Sequence, residues 1–507
     1  MAALNTQTNA AWHYHRVTSH SWESLQASPH TLDWGNYPQP FKIYRDLPTV
    51  PLPREWPRST IPALTAIFDD GTNFDPTARL DLFTLARLLY LSGGVVRWRN
   101  LGGMRIPFRT AACTGNLHHI DLYVVCATLP GLEAGVYHFG PQDFALRLLR
   151  RGDFRANVCT AAAAPPELRD APVWLVCTST FWRNAWKYRG RTYRHAFWDS
   201  GTILANLFAA AASVRIRHRL LVGFVDREIN ALLGVDGRKE VSLAVVGLGA
   251  KAKPPGESLP VPALQVAVEP YSRREVEYPE IVAMHQASTL DSTAEVESWR
   301  LRAKEWSLQS SVVGEPLPAL REFPKDPIEE VIARRGSTRK FQREPIPLPT
   351  FSVIVRAART KIPADFQAVG PLTDAYAIVH SVTGLDPGAY FCHPTGSGLA
   401  LLRRGEFRHQ AGALALGQAL AADAAANLYH LADLHKVLPT LGNRGYRAAQ
   451  LEGGIAGGKI YLAAFSLGIG ATGLTFFDDD VTSFFSPHGA GKSVMFLTAV
   501  GKPARRK

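Results

Sequence analysis

The stretch GLEAGVYHFG at positions 131–140 returns as GLDPGAYFCH at positions 384–393, and this repetition decides the fold. The second stretch lies 253 positions after the first, and the same shift carries LLRRGDFR (148–155) onto LLRRGEFR (401–408). Chance does not keep one register over such a distance. The chain therefore contains two copies of one domain.

The repeat continues through a region rich in arginine. At the shift of 253 the aligned pairs are Arg191–Arg444, Tyr193–Tyr446, Arg194–Arg447, Asp199–Glu452 and Gly201–Gly454. We predict a first domain at 1–250, a Pro-rich linker with a surface helix at 251–325, and a second domain at 326–507. The second domain opens with DPIEEVIARR, in which Asp326 is the predicted helix cap, Pro327 the first helical residue and Glu329 the acid of a capping box.

Both halves alternate helical patterns with short apolar runs. LFTLARLLYL has leucines at helical spacing and ends at a Gly-Gly pair, which predicts a helix. The predicted strands are 121–128, 173–180, 241–247, 374–380 and 494–500. This pattern indicates an α+β domain with a central sheet in each half.

Composition limits the function classes. The apolar fraction is 46% and the charged fraction 20%, which is typical of a packed globular protein. The net charge of +12 comes without a zinc finger, a helix-turn-helix or an RNP signature, so nucleic acid is not the predicted partner. A cofactor phosphate or an acidic peptide explains the charge as well.

The sequence indicates a cytoplasmic protein without a metal site. Its start does not read as a secretory signal, and no apolar run is long enough to span a membrane. None of the cysteines is paired at metal-ligand spacing, and we interpret them as mostly core thiols; they are Cys113, Cys126, Cys159, Cys177 and Cys392. Adjacent His118 and His119 would point to opposite faces of a strand, and no acid or cysteine cluster completes a ligand set.

Two glycine-rich motifs fail on context. GIGATG (468–473) has dinucleotide-fingerprint spacing, but it follows a helical run instead of a strand, so we interpret it as a helix exit. GAGKS (489–493) resembles the end of a phosphate loop, but Ser486 stands where the first glycine is needed and the following VMFLTAV predicts a strand. The sequence does not predict an ATPase.

Three segments carry the candidate site. In RRGSTRKF (334–341), Arg335, Ser337 and Arg339 alternate and, if extended, would share a face suited to a phosphate; the alternative is a solvated basic helix end. RTAACTGNLHHIDLYVV (109–125) enters a strand through small residues that leave room for a planar ring; the alternative is a plain turn. Further on, the titratable pair Lys187 and Tyr188 lies among aromatic residues.

Together these segments resemble the nitroreductase superfamily, and within it the SagB/ThcOx type, the azoline dehydrogenases of peptide-modifying clusters. RRGSTRKF is similar to the family's RRSxRxF phosphate segment, RTAACTGNLHHIDLYVV to its RxaPSaGaLyPieiYvv loop, and WKYRGRTYRHAFWDSG (186–201) to its KYgxRgYRyalldaG element. The resemblance covers nearly the whole chain. It implies the nitroreductase-like α+β fold, a central, mainly antiparallel sheet flanked by helices, with the two fused copies forming a pseudodimer within one chain.

The resemblance also implies one FMN in the interface between the copies. Each copy holds half of the motifs: the second has the Arg-Ser-Arg segment, but FQAVGPLTDAYAIV in place of the ring loop and Thr440-Leu441 in place of Lys187-Tyr188. The first opens with YHRVTSHS (14–21) where an Arg-Ser-Arg segment belongs. By the resemblance, the phosphate would contact Arg335, Ser337, Arg339 and Lys502 or Arg505, and the ring would contact Arg109, Cys113, Thr114 and Asn116. Gly201 would also belong to the cofactor site, and Lys187 and Tyr188 would be catalytic.

The family's activity sets the functional prediction. We expect an FMN-dependent dehydrogenase that oxidises a heterocycle, azoline to azole, or another C–N or C–C bond, in a peptide-derived or other natural-product intermediate. The alternatives are an NAD(P)H-dependent nitro or flavin reductase and a flavin-free scaffold that docks a peptide. Expected partners are a peptide or small-molecule substrate and other enzymes of a biosynthetic cluster, with further homodimerisation left open.

Overall fold

The computed structural model describes residues 4–27, 29–307, 314–320 and 322–504. Arg505, a predicted phosphate contact, lies outside these described residues. Within them, each half of the chain is built around one seven-stranded antiparallel sheet with helices packed against it. The two halves pack against each other through their longest helices. The predicted α+β fold with two copies is confirmed.

The first half contributes a hairpin and a larger sheet. Its strands are β1 (Thr49–Pro51), β2 (Val95–Leu101), β3 (Met104–Arg109), β4 (Ile120–Cys126), β5 (Gly135–Gly140), β6 (Ala145–Arg151), β7 (Val173–Thr180), β8 (His218–Leu221) and β9 (Glu240–Leu248). Among the described residues, β2 pairs with β3 alone, and the other seven strands form an antiparallel sheet in the order β1-β6-β5-β4-β7-β9-β8. Strands β4 and β7 are buried along their whole length, which explains their continuous apolar sequence.

The helices of the first half are α1 (Asn9–Val17), α2 (Trp22–Ala27), α3 (Ala63–Ile67), α4 (Leu82–Gly93), α5 (Arg155–Ala161), α6 (Phe181–Tyr188), α7 (Thr192–Ala212) and α8 (Asp226–Leu233). Helices α5, α7 and α8 pack against this sheet. Helix α4 is the one predicted from LFTLARLLYL; the Asp81 side chain caps it by accepting from the Thr84 N–H.

The connecting segment carries more structure than the predicted linker with one surface helix. It forms α9 (Pro279–Ala287) and α10 (Thr293–Glu305), and its end, β10 (Glu315–Pro316), joins the second sheet. Trp299 of α10 is fully buried, and its indole N–H donates to the Leu441 carbonyl at 2.9 Å. Arg300 of the same helix donates to the Ala162, Ala163 and Gly223 carbonyls of the first half, so the segment is packed against both halves.

The second half repeats the first. Its strands are β11 (Ile346–Pro347), β12 (Thr373–Val379), β13 (Val382–Thr383), β14 (Gly388–Cys392), β15 (Gly398–Arg404), β16 (Ala426–Ala432), β17 (Gly470–Leu474) and β18 (Ser493–Gly501). Its helices are α11 (Ile328–Arg334), α12 (Leu348–Arg359), α13 (Arg408–Leu414), α14 (Ala419–Asp423), α15 (Leu434–Ser466) and α16 (Asp478–Phe484). Strand order is β10-β15-β14-β12-β16-β18-β17 in the described chain, which matches the first sheet strand for strand.

The start of α11 differs from the prediction. The helix begins at Ile328, one residue later than expected, and no side chain caps it. Glu329 makes a different contact: its carboxylate accepts from the Arg87 guanidinium of the first copy, with a 3.0 Å bond from Arg87 Nε. A buried guanidinium without a counter-charge costs more free energy than an uncapped helix end, so Glu329 pairs with the buried Arg87.

Helices α7 and α15 cross at the centre of the molecule. A Cβ on Gly201 would lie 2.5 Å from the backbone of Gly454, and one on Gly454 would lie 2.7 Å from the Trp198 carbonyl oxygen. Only glycine allows this approach, so the aligned glycines serve helix packing. Both copies also bend at the same register position, at Arg189 (φ 48°) before α7 and at Gly442 (φ 67°) inside α15.

Crossed ion pairs fasten the two copies to each other. Asp478 of the second copy pairs with Arg191 at 2.9 Å and with Arg194 of the first. In the mirror arrangement, Asp226 of the first copy pairs with the aligned arginines Arg444 and Arg447. Burial alone would raise the pKa of each aspartate, but the paired guanidinium groups outweigh it and lower it.

Candidate functional site

A cavity of about 440 Å³ lies in the seam between the two copies, and we call it the first seam. Both copies line it. The first-copy residues are Ala112, Cys113, Thr114, Gly115, Asn116, Lys187, Tyr188, His195, Trp198, Asp199 and Thr202; the second-copy residues are Ser337, Arg339, Gln418, Leu420, Tyr461, Thr472, Gly473, Leu474, Thr475 and Phe496.

The predicted ring loop forms one wall, and a buried carboxylate holds it in place. Asp199 of α7 accepts from the Thr114 N–H at 2.9 Å and from its hydroxyl at 2.8 Å. The Cys113 thiol donates to the same carboxylate at 3.1 Å. Burial and the adjacent Asp199 raise the pKa of Cys113, so the thiol stays protonated. Cys113 therefore presents a neutral thiol in this wall, next to the Asp199 carboxylate.

Asn116 lies in the same wall with its amide already engaged. Its Nδ2 donates to the Pro107 carbonyl at 2.9 Å, and its Oδ1 is 3.1 Å from His118 Nε2. Gly115 next to it has φ 63°, and a Cβ there would lie 2.8 Å from the Tyr188 hydroxyl. Glycine at this position lets the tyrosine approach the loop.

Lys187 and Tyr188 close α6 and face the cavity together. Lys187 is exposed, with its Nζ 5.3 Å from the centre of the Tyr188 ring. Burial, followed by the nearby Asp199, raises the pKa of Tyr188, so the phenol keeps its proton at neutral pH.

Two further residues of α7 line the cavity, and the sequence reasoning missed both. His195 Nδ1 lies 2.9 Å from Asn184 Oδ1, and its ring meets Tyr188 edge-on with centroids 4.6 Å apart. Burial and the nearby Arg191 lower the pKa of His195 well below its usual value, so the ring is neutral. Trp198 lies between His195 and Phe496 and forms an aromatic floor. The bend at Arg189 separates Tyr188 from α7, so no helical spacing in the sequence linked the two residues to it.

The second copy supplies the opposite end. Ser337 and Arg339 of RRGSTRKF line the cavity, and the Ser337 hydroxyl is 3.1 Å from the Tyr461 hydroxyl. The Tyr461 oxygen accepts from the Gly473 N–H at 2.6 Å. Arg339 is exposed and acts electrostatically on Tyr188, so groups of the two copies meet across one space.

Arg335 does not share the face of Ser337 and Arg339, contrary to the expectation from alternation. It is buried, and its Nε donates to the Thr110 carbonyl at 2.9 Å while its NH2 donates to the Arg109 carbonyl at 3.2 Å. These carbonyls belong to the start of the ring loop in the other copy. Arg335 thus ties the phosphate segment of one copy to the ring loop of its neighbour.

Three other predicted residues lie away from the cavity. Arg109 is buried behind the loop, where its NH2 donates to the Pro40 carbonyl at 2.8 Å and burial lowers its pKa to about 10. Gly201 lies at the helix crossing. Lys502 forms a surface ion pair with Glu344 at 2.9 Å.

The segment after GIGATG's helix exit was also missed as a site element. Gly468 (φ 71°) turns the chain out of α15, as predicted, but residues 470–474 then form β17, and Thr472 to Thr475 line the cavity. The described residues contain no group of three or more histidine, cysteine or acidic side chains that could hold a metal. Among the described helices, none has the length and apolarity to cross a membrane.

Comparison with known proteins identifies the family. The sequence profile of the Nitroreductase family matches residues 73–250 and again residues 332–502, which is more than half of the chain. The chain belongs to the nitroreductase family. A solved nitroreductase-like structure from Anabaena variabilis shares its fold, at 24% identity and a TM-score of 0.76, over 98% of this chain and 99% of that one.

Two curated relatives each match about a third of this nitroreductase chain. MJ1384 of Methanocaldococcus jannaschii, which is named after the nitroreductases, is 28% identical over 172 residues, 34% of this chain and 82% of that protein. The microcin B17-processing protein McbC of Escherichia coli is 24% identical over 184 residues, 35% of this chain and 65% of McbC. The chain is thus an oxidoreductase-family protein, and it spans less than two thirds of McbC.

The opposite seam of this nitroreductase pair holds a second cavity, of about 480 Å³, which we call the second seam. Its lining includes Asp70, Gly71, Thr72, Lys361 and Gln367. The bridge between Pro62 and Pro327 shows that α3 and α11 occupy equivalent places, so residues 69–73 are the counterpart of the phosphate segment. The prediction that YHRVTSHS takes that place is wrong, because these residues lie in and after α1.

Proposed function

We propose that the chain is an FMN-dependent dehydrogenase that oxidises a heterocycle, azoline to azole, in a peptide-derived intermediate. The observation that carries the proposal is the first seam, where Ser337 and Arg339 of one copy face Thr114, Lys187 and Tyr188 of the other across one cavity. The peptide substrate is supported by the name of McbC, a microcin-processing protein.

The residues of the first seam fit FMN. The volume lies in the range of cofactor sites. Arg339 offers a guanidinium fork and Ser337 a hydroxyl for a phosphate, while Cys113 to Asn116 provide a flat wall. The Thr475 hydroxyl, which lines the same cavity, is buried and has no hydrogen-bond partner among the described residues. A bound polar ligand would satisfy it.

The reaction removes two hydrogens from the azoline ring, one as a hydride and one as a proton. FMN, when bound, would accept the hydride, and oxygen or another acceptor would reoxidise it. Tyr188 stays protonated because its pKa is raised, so it donates a hydrogen bond to the substrate. Lys187 is next to it and lines the same cavity, and we assign the substrate proton to its side chain in the neutral amine form, which then returns the proton to solvent. Trp198 and Phe496 shield the ring from water.

The test uses the purified full chain and a synthetic peptide with one thiazoline. We expect FMN in the heat-released fraction and, by mass spectrometry, loss of two hydrogen atoms from the peptide. Lys187→Ala and Tyr188→Phe should each lower kcat by about 100-fold or more with unchanged FMN content, because positioned acids and bases contribute about 10²–10⁴. Lys436→Ala, an exposed lysine on α15, is the matched control.

Three outcomes would contradict the proposal. Rapid NAD(P)H consumption without peptide would favour a nitro or flavin reductase. A colourless protein that binds peptide would favour a scaffold. Full turnover by both variants would remove Lys187 and Tyr188 from the mechanism.

A further inference from the structure

The hairpin β2–β3 distinguishes the first copy from the second. In the first copy, residues 94–109 separate the end of α4 from the ring loop, and β2–β3 occupy them. In the second copy, residues 360–362 alone separate the end of α12 from the segment aligned with that loop. The extra hairpin therefore belongs to the copy that carries the ring loop and the Lys187–Tyr188 pair.

The hairpin touches both sides of the first seam. Strand β3 ends at Arg109 and leads directly into the ring loop, and the Pro107 carbonyl accepts from the Asn116 amide at 2.9 Å. On the other side, the nearest neighbour to a Cβ at Gly336, within the phosphate segment, is the Arg97 guanidinium at 3.8 Å. The hairpin therefore lies beside the ring loop of the first copy and the phosphate segment of the second, and both of these segments line the cavity.

Stacked arginines cover the hairpin surface. Arg97 and Arg99 lie over the Phe108 ring at 5.1 and 5.4 Å, and Arg105 lies over Trp98 at 4.4 Å. All three arginines are exposed. Over the residues that the structure describes, Arg99 and Arg105 form no ion pair with a carboxylate. The rings pack against these guanidinium groups, and the charges of Arg99 and Arg105 remain available to a partner.

The outer edge of β2 is open. Strand β2 pairs with β3 only, and no third strand joins this sheet among the described residues. An extended peptide can add to such an edge through its backbone amides, with its side chains reaching pockets or charges on either face. This geometry favours a peptide over a nucleic acid, which has no amide backbone to pair with a strand.

We propose that the β2–β3 hairpin docks an acidic, extended segment of the peptide substrate, next to the ring that enters the first seam. The inference rests on the proposed function for the identity of the substrate. Arg99 and Arg105 supply the charge that an acidic segment complements, and the β2 edge supplies the backbone contacts. The hairpin thus selects substrates by the charge of the residues that flank the reacting ring.

Direct binding tests the docking without catalysis. Fluorescence anisotropy would compare a labelled ten-residue peptide rich in Asp and Glu with its Asn and Gln isostere, on the full chain. We expect the acidic peptide to bind about tenfold or more tightly, and the preference to vanish in Arg99→Glu/Arg105→Glu, because like charges repel across the interface. The control Arg79→Glu/Arg227→Glu changes the net charge equally at two other exposed arginines and should keep the preference.

The outcomes separate this inference from others. Equal loss in both double variants would show a general charge effect and overturn the docking site, as would equal affinity for the two peptides. Stronger, salt-sensitive binding of a single-stranded RNA oligonucleotide at Arg99 and Arg105 would overturn it in favour of nucleic acid.

A kinetic arm separates this proposal from the proposed function. A thiazoline peptide without flanking acids reports turnover alone, and its kcat should be the same in wild type and Arg99→Glu/Arg105→Glu. With acidic flanks, the double variant should raise KM about tenfold at unchanged kcat. If no thiazoline peptide turns over, the proposed function fails while the anisotropy result still decides the docking.

Discussion

The two seams of this molecule have the same architecture but different side chains lining them. The first seam holds Ser337 and Arg339 at one end and Lys187 and Tyr188 at the other. In the second seam, the counterparts are an acidic segment that includes Asp70 and, by register, Thr440 and Leu441. Both cavities have similar volumes, about 440 and 480 Å³. The difference teaches that the fold creates the space twice and that side chains decide what each space can bind.

Access differs as well as charge. Trp299 of α10 donates to the Leu441 carbonyl at 2.9 Å, so the connecting segment covers the position that corresponds to Tyr188. In the first seam that position opens into the cavity. The second seam therefore has Asp70 in the segment that corresponds to Ser337 and Arg339, and Thr440 and Leu441 at the positions of Lys187 and Tyr188. Its lining also includes the basic residues Arg217, Arg219 and Lys361.

The two sets of crossed ion pairs should contribute equally to the stability of the fold. Asp478→Ala and Asp226→Ala should each lower the free energy of unfolding by about 3–5 kcal/mol, because each leaves two buried guanidinium groups unpaired. Urea denaturation measures this. The control is Asp479→Ala, an exposed neighbour, which should change little. If one of the two main variants is nearly neutral, the seams are not equivalent in stability.

Flavin binding should separate the seams. We expect one FMN per chain, and Arg339→Ala should weaken it by about 30-fold, roughly the 2 kcal/mol of a charge-assisted hydrogen bond. Asp70→Ala should leave the affinity unchanged, because an acid at the phosphate end of the second seam gives FMN no counter-charge. Titration of apoprotein by flavin fluorescence gives stoichiometry and Kd. Two flavins per chain would break the comparison.

The smallest expected difference concerns one methyl group. Gly115→Ala should lower kcat about tenfold, because the new Cβ would meet the Tyr188 hydroxyl and φ at that position is positive; the displacement is worth about 1–2 kcal/mol. The aligned residue in the second seam is Ala368, and Ala368→Gly should leave kcat unchanged. Steady-state kinetics on the thiazoline peptide compares them. Equal effects would mean that the loop tolerates the added methyl in both seams.

The fold could be predicted from the sequence because each copy gives an independent pattern of helices and strands, and the two patterns agree. Two diverged sequences that keep apolar runs at the same register must bury the same strands, and the predicted strand at 173–180 coincides with β7. The predicted start of α11 was less accurate, because Glu329 forms an ion pair with the buried Arg87 of the other copy instead of a capping box. That contact is tertiary and leaves no local signal.

The candidate site could be predicted only where its residues are adjacent in sequence. Ser337 and Arg339 lie along the cavity, as do Cys113, Thr114, Asn116, Lys187 and Tyr188. The orientation of the Arg335 side chain could not be predicted from the sequence, because it depends on hydrogen bonds to the Arg109 and Thr110 carbonyls in the other copy. His195, Trp198 and the β17 residues reach the site through the crossing of α7 and α15, which no spacing within one copy reveals.

The covalent joining of the copies changes how mutation acts on the seams. In a symmetric homodimer, every substitution changes both binding sites at once, because both subunits carry it. An aspartate that prevents phosphate binding in one site therefore prevents it in the other. Here one gene encodes the two copies as separate segments, so their residues can differ, and Asp70 lines the second seam but not the first. A substitution at Asp70 can therefore change the lining of the second seam while the first seam keeps its own.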